Sequence, residues 1–572
     1  MSMTQHQSYL DRPLFPLTLF LAVLAAYIWA TPLRDLFGLE ARNALFTKNM
    51  ISDGPGLIPM LMGTPYADYP PLYFWLSWLF SLPAGRVTPL SAVLPSALAA
   101  AAMVAVTFML ARKISAQTAL IAALALATCP DYWLKAGRAT IDMLLALWVS
   151  LAVFLLYLRY RRPAAIAGVV AETTALVMML LAFFTKGPVG LALPVGIWAT
   201  FLICERKWRS LLSFAMKSLL LASACIGIEL LVLWHAGGGE LIRKVYEAQL
   251  ASRLNDQANE PLFYYPFYLL FGAAPWWIPA CLGFYLSGRR HGGNTARRTF
   301  LSDLFSQEIM RLAACWFFFV LILFTAASTR HNRYLLPLFP ALFLLIGRGI
   351  ELFLVNSRLL RRQRAAGFLN YLFWLIIAGV TIMFLTAPLS YRPPVFFWLV
   401  WSTCSLFVYE LLSREATRNI RLPGLAMLCA GCIMAAEAMM IEPWISQQES
   451  GRVFVRDTEG MIEKGIPVVL YKINPDGDGI KYALHSSRPS EKLFFVNSLK
   501  EINKIPSPFL LIAFNKAENE LAMLDHGKSI QKIAQGLLHQ DEITSWLFTD
   551  KKQGMPWVKG LTGLPTSATE RR

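Results

Sequence analysis

From Pro13 to Ile441 the chain passes through one apolar stretch after another, each of roughly twenty residues and each closed by a short polar segment. Backbone N–H and C=O groups in hydrocarbon must be satisfied within the segment itself, so stretches of this kind read as membrane-spanning helices. Composition agrees: 56% of the 572 residues are hydrophobic, which excludes an ordinary soluble globular protein. Leu14–Ala30, the first stretch, has no small-residue cleavage site after it and reads as a retained span. The net charge of +17 lies mainly in short loops, where it reports topology first and anionic ligands second. There is no basic soluble domain on which a nucleic-acid partner could rest.

Basic clusters recur at Arg112-Lys113, Arg159–Arg162, Arg206–Arg209, Arg289–Arg298, Arg358–Arg364 and Arg414–Arg421. If these are cytoplasmic, two spans must separate each from the next, and two apolar stretches lie in each interval. The outward turns are then Asp131–Ala139, Thr185–Pro188, His235–Leu262, Ser328–Arg333 and Ala387–Pro394. Leu90–Leu110 is the single crossing between the first outer loop (32–89) and Arg112. The aromatic segment Pro70–Leu82 therefore belongs in the interface, with Glu40–Met50 as a second interfacial helix. The last span, near Leu422–Ile441, carries the C-terminus outward.

The expected architecture is an all-α polytopic membrane domain of about 13 transmembrane helices over residues 1–445. A small α/β soluble domain over 446–572 follows on the outer side. In it, Val453–Glu463 and Ser529–Leu538 read as helices, and Pro467–Ile473, Lys492–Val496 and Phe509–Phe514 as strands, with a floppy tail after Leu561. Asn474-Pro-Asp-Gly-Asp-Gly479 resembles the start of a calcium loop, but the acid required further on is His485, so a turn is expected. All eight cysteines lie in or beside apolar spans, and Cys429-Ala-Gly-Cys432 reads as packing.

Lys186 stands inside the apolar run Leu180–Pro194, beside the helix-breaking pair Gly187-Pro188. A lysine there is costly unless it snorkels to the interface or meets an anion. The topology puts Glu40, Arg138, Asp142, Lys186, Arg253, Arg330, His331, Arg333 and Tyr334 together on the outer face. Carboxylates in such a group can take a proton from a hydroxyl, and fixed cations can hold a phosphate. Structural alternatives stand beside these: a salt bridge of Glu40 with Arg42, an Arg138–Asp142 pair at a spacing of four, and an interfacial His331.

Four groups of residues follow in order: Leu39-Glu-Ala-Arg-Asn-Ala44 with Ile58–Tyr66 and Tyr69–Phe74; Arg138-Ala-Thr-Ile-Asp-Met143; Phe184-Thr-Lys-Gly-Pro-Val-Gly190; and Arg333-Tyr-Leu-Leu-Pro-Leu-Phe-Pro340, preceded by Glu260–Tyr265. Together they resemble the GT-C superfamily of integral-membrane glycosyltransferases, in particular the aminoarabinose transferases of lipid A and relatives of the protein O-mannosyltransferases. The resemblance covers Leu33–Gly347 and, more weakly, the C-terminal domain. It implies a polyprenyl-phosphate-linked sugar donor and a lipid, glycan or protein acceptor, at the outer face of the bacterial cytoplasmic membrane. It also implies Glu40 and Asp142 as catalytic carboxylates, with Lys186, Arg138, Arg253, Arg330, Arg333 and Tyr334 around the donor phosphate. Two departures stand out. Leu39 replaces the family aspartate, leaving Glu40 as the base, and Tyr69 replaces a phosphate-binding lysine. Asp68 with Asp256 or Glu260 could hold a divalent cation; no other cofactor is implied. A carrier of lipid-linked sugar and a catalytically inactive relative are the alternatives, and no inverted repeat supports a carrier.

Overall fold

A computed structural model describes residues 12–550, apart from 67, 163–165, 248–259, 262, 291–305, 357–358, 389–391, 415–420, 464, 490–491, 522–527 and 539–540. Arg253, Asp256 and the tail after Leu561 lie outside the described residues. Among the described residues ten helices are long and apolar enough to cross a membrane, and eleven if the bent pair Tyr264–Gly272 and Trp277–Ser287, which meet at 96°, counts as one span. The expectation of about 13 exceeds this because Ala116–Ala127 and Pro188–Cys204 are apolar but only 12 and 17 residues long. Ser115 fixes where the first of these begins: its hydroxyl accepts the Thr118 N–H at 2.9 Å. Helix Trp208–Tyr246 leaves Leu212, Met216, Leu220 and Leu231 exposed, as a lipid-facing surface does.

The first loop folds as helix Leu39–Asp53, a two-residue hairpin (β1 Met60–Leu61, β2 Thr64–Pro65) and helix Leu72–Ser81. In helix Leu39–Asp53, Ala41, Ala44, Leu45 and Phe46 are wholly buried, and Phe46 packs against Tyr66 and Phe74 of the same loop. Gly38 turns the chain into this helix at φ 57°, a conformation that favours glycine.

The C-terminal α/β portion begins after Gly451, where the run Arg421–Ser450 ends. Its sheet holds β3 (Val468–Tyr471), β4 (Leu493–Val496), β5 (Phe509–Phe514), β6 (Lys528–Leu538) and β7 (Asp541–Asp550) in the order β4-β3-β5-β7-β6. β3 runs parallel to β4 and β5, while β7 is antiparallel to β5 and β6. The segment 474–479 is a turn, with the Asp476 N–H donated to Asn474 Oδ1 at 3.0 Å. One expectation fails outright: Ser529–Leu538 belongs to an edge strand and is not a helix. Between Lys532 and Ala534 the register slips and Ile533 is the extra residue. That bulge breaks the two-residue alternation and leaves apolar residues at 530, 533, 537 and 538, the spacing of a helix face.

Two contacts fasten this portion to the first loop. Asp35 pairs with Arg452 at 2.6 Å, while its N–H donates to Ser446 Oγ at 3.0 Å. Lys48 donates to the carbonyls of Ala483 at 2.6 Å, Leu484 at 3.2 Å and Ser486 at 2.6 Å, at the C-terminal end of helix Asp478–His485. Cations suit that end of a helix, where carbonyls lack partners.

His485 lies at this junction, its Nε2 buried without a hydrogen-bond partner. Burial pushes its pKa down to about 4; Asp35 opposes this, and Arg452 and Lys48 add to it. The folded form therefore binds a proton less readily than the unfolded chain does. The stability contributed by neutral His485 is complete above the ordinary histidine value and is lost as pH falls from about 6.5 to about 4. Protection factors for amide exchange in Asp478–His485, taken against the intrinsic rate at each pH, are expected to fall over that interval, and to do so much less in His485→Phe.

Candidate active site

Helix Ile166–Lys186 ends on Lys186, Gly187 reverses the chain at φ 66°, and Pro188 starts the next helix. The two helices then run in close contact, since a Cβ at Gly190 would collide with the Ala182 carbonyl. Lys186 is thus delivered to a fixed point at one end of the bundle. There it forms an ion pair with Asp142, and Arg333 Nε approaches the other carboxylate oxygen at 3.3 Å. The lysine Nζ also lies 4.2 Å from the centre of the Tyr334 ring, with the Arg333 guanidinium 5.5 Å from it. His331 meets Tyr334 edge-on at 5.2 Å. Burial, followed by Arg333, lowers the His331 pKa, which keeps the imidazole neutral near pH 7. Two cations thus share one carboxylate. The cluster carries a net positive charge in a largely dehydrated place, which is the condition for binding an anion.

Asp142 is held by the stretch before it. Glu40, 4% exposed, takes both Nη atoms of Arg34 at 2.7 Å, and its Oε1 accepts the Ala139 N–H at 2.7 Å. Arg34 also donates to the Gly137 carbonyl at 2.7 Å, and Asn43 Nδ2 to the Ala139 carbonyl at 2.9 Å. Ser96 Oγ bonds both the N–H and the carbonyl of Thr140, each at 3.0 Å. The backbone of 137–140 is therefore pinned residue by residue, and helix Ile141–Arg161 starts immediately afterwards with Asp142 in its first turn.

The other expected site residues are distributed differently. Arg138 lies outside the helix that carries Asp142, so the spacing of four forms no pair; it binds Glu442 Oε1 at 2.6 Å instead. Arg330 donates to the backbone carbonyls of Glu260 and Thr325, the latter at 2.9 Å, so backbone oxygens engage it where a phosphate was expected. Glu40 pairs with Arg34 and not with Arg42, which lies against Tyr66, its Nη1 donating to the hydroxyl at 3.2 Å. Asp68 hydrogen-bonds Tyr66. Among the described residues no group of three or more His, Cys, Asp or Glu side chains converges on a metal-sized point. Asp68 and Glu260 therefore form no cation cage by themselves.

Sequence reasoning passed over Arg34, Glu442 and Lys135, the last in an ion pair with Asp131 and a hydrogen bond to Tyr268. Glu442 did leave a signal, being one of two ionisable residues, with Glu437, at the end of the last apolar stretch.

Helices Pro188–Cys204 and Trp208–Tyr246 border an apolar groove of about 370 Å³, lined by Phe183, Pro188, Leu191, Val195, Leu219 and Ile226; Phe183 and Pro188 flank Lys186 in the chain. A second hollow runs from Phe183 and Phe184 to Leu57, Tyr69 and Trp75 of the first loop.

Comparison with known proteins gives this geometry a context. Residues 68–234 match the family model described as dolichyl-phosphate-mannose-protein mannosyltransferase. An undecaprenyl phosphate-α-4-amino-4-deoxy-L-arabinose arabinosyl transferase of Pectobacterium carotovorum is 24% identical, over 79% of this chain and 78% of that one. Its counterpart in Erwinia tasmaniensis is 25% identical, and the match takes in 61% of each chain. The crystal structure of ArnT from Cupriavidus metallidurans bound to undecaprenyl phosphate superposes with a TM-score of 0.69 at 18% identity, over 93% of this chain and 98% of that one. In the matched segment the chain is similar to these membrane glycosyltransferases, and its fold is of the same type. It is a multi-pass inner-membrane protein, with a mostly helical fold and a small C-terminal sheet. The resemblance in the four groups of residues is thus matched by the fold as a whole.

Proposed function

We propose that this protein transfers a sugar from a polyprenyl-phosphate donor to an acceptor hydroxyl on the periplasmic side of the membrane, where its C-terminal domain also lies. One observation carries the reading: Lys186 and Arg333 share the single carboxylate of Asp142, and an apolar groove is lined by Phe183 and Pro188, which flank Lys186 in the chain. The groove suits an isoprenoid tail and the two cations suit its phosphate. In the donor-free protein Asp142 occupies the place of that anion. Phosphate draws Lys186 and Arg333 away, and the carboxylate is then free to accept a proton. The acceptor oxygen attacks the anomeric carbon as its proton passes to Asp142. The bond from that carbon to the phosphate oxygen breaks, and polyprenyl phosphate leaves with its new charge on Lys186 and Arg333. Glu40 acts at one remove, through the pinned stretch 137–140.

The test uses the full chain in lipid nanodiscs with a panel of polyprenyl-phosphate sugars and envelope extract as acceptor. Free polyprenyl phosphate is expected to appear together with an acceptor heavier by one sugar residue. Donor binding with no release from any member of the panel would instead support a carrier or an inactive relative.

A further inference from the structure

Behind Arg34, on the side away from Glu40, the ends of the first and last spans enclose a small cavity. Tyr27, Thr31, Arg34, Trp133, Glu437 and Glu442 line it, and the space open to the centre of a water-sized group is about 30 Å³. That is room for one or two small species. Glu437 opens a π-helical turn, Glu437–Ile441, and Glu442 follows it directly. Such turns are rare and concentrate at functional sites, and the wide turn brings residues five apart onto one side.

Charge is out of balance here. Glu40, Glu437 and Glu442 face two cations, Arg34 and Arg138. Arg34 is committed to Glu40 by its two-pronged pair, and Arg138 to Glu442 Oε1. Glu442 is 5% exposed, yet its Oε2 has no hydrogen-bond partner; Arg34 Nη1 lies 3.9 Å from it. Glu437 Oε2 is likewise buried and without a partner. One negative charge is thus left over, on two oxygens that line a cavity of ionic size. A buried charge in that position costs several kcal/mol unless it is matched.

We propose that the cavity binds one monovalent metal cation, Na⁺ or K⁺, between Glu437 Oε2 and Glu442 Oε2. A single charge balances the cluster, whereas a divalent ion would leave an excess beside the Arg34 guanidinium. The bound ion bridges two carboxylates five residues apart at the end of the last span and offsets the surplus charge that faces Arg34. The proposal is independent of the transfer reaction, because it is read from binding and stability.

The experiment follows thermal unfolding of the nanodisc-embedded protein at fixed pH and ionic strength. N-methylglucamine chloride is exchanged stepwise for NaCl or KCl, and binding of radioactive ²²Na⁺ and ⁸⁶Rb⁺ is counted in parallel. A saturable rise of about 2–4 °C in the midpoint is expected with one of the two salts. About one ion should be bound per chain. Glu437→Gln removes the surplus charge, so it should unfold no earlier than the wild type without the ion, lose the salt response and bind no ion. A wild-type midpoint that follows pH but ignores both cations would overturn the proposal in favour of a shared proton. An undiminished salt response in Glu437→Gln would overturn it as well, as would a response to millimolar Mg²⁺ alone.

Discussion

Asp142→Asn is expected to bind the polyprenyl-phosphate donor more tightly than the wild type and to turn it over far more slowly. Tighter binding follows from charge. In the donor-free protein Asp142 occupies Lys186 and Arg333, and an arriving phosphate must displace it. Asparagine keeps the shape without the negative charge, so both cations are left free for the ligand. A gain of about tenfold in affinity, near 1.4 kcal/mol, is a reasonable scale for removing one competing charge at a partly dehydrated site. Slower turnover follows from chemistry: a neutral amide cannot take the acceptor's proton, and loss of a general base costs about 10²- to 10⁴-fold. Donor affinity by equilibrium binding and turnover by release of polyprenyl phosphate should therefore shift in opposite directions. If both fall together, Asp142 is a strut for Lys186 and the base lies elsewhere. If neither moves, the cluster is not where the phosphate binds.

The membrane architecture was legible because apolar length and the placement of arginine and lysine obey physical rules that need no tertiary information. Lys186 was legible for a related reason, as a charge inside an apolar run is too costly to be incidental. What it touches was not. Its partner Asp142 is 44 residues away, and only the packed bundle makes them neighbours. Arg34 was passed over in the sequence. Its role appears only when Glu40, the carbonyl of Gly137 and the end of the last span are seen to converge on it. Arg138 and Asp142 show the reverse error, where a helical spacing was applied to a residue that precedes the helix. The edge strand Lys528–Leu538 failed because a one-residue bulge gave it the apolar pattern of a helix.

Glu40→Gln is expected to destabilise the protein by about 3–5 kcal/mol, since it leaves Arg34 buried without its carboxylate. Turnover should fall by about a hundredfold as the stretch leading to Asp142 loosens, the usual cost of misplacing a reacting group by an ångström. A loss of activity alone would not separate a base from a strut, because both readings require it. The double variant Arg34→Gln with Glu40→Gln does separate them. It removes both charges of the pair together, and replacing a whole buried ion pair by neutral groups is often close to neutral where breaking one half is costly. Thermal unfolding should therefore return most of the way to the wild-type value. If Glu40 positions Asp142 through Ala139, turnover should recover along with stability, since the backbone it pins is restored. If Glu40 is itself the base, stability will recover and turnover will not, because no carboxylate remains at position 40. The geometry favours recovery of both. Each oxygen of Glu40 already accepts a guanidinium N–H, and Oε1 also accepts the Ala139 N–H, so the carboxylate is engaged before any acceptor arrives.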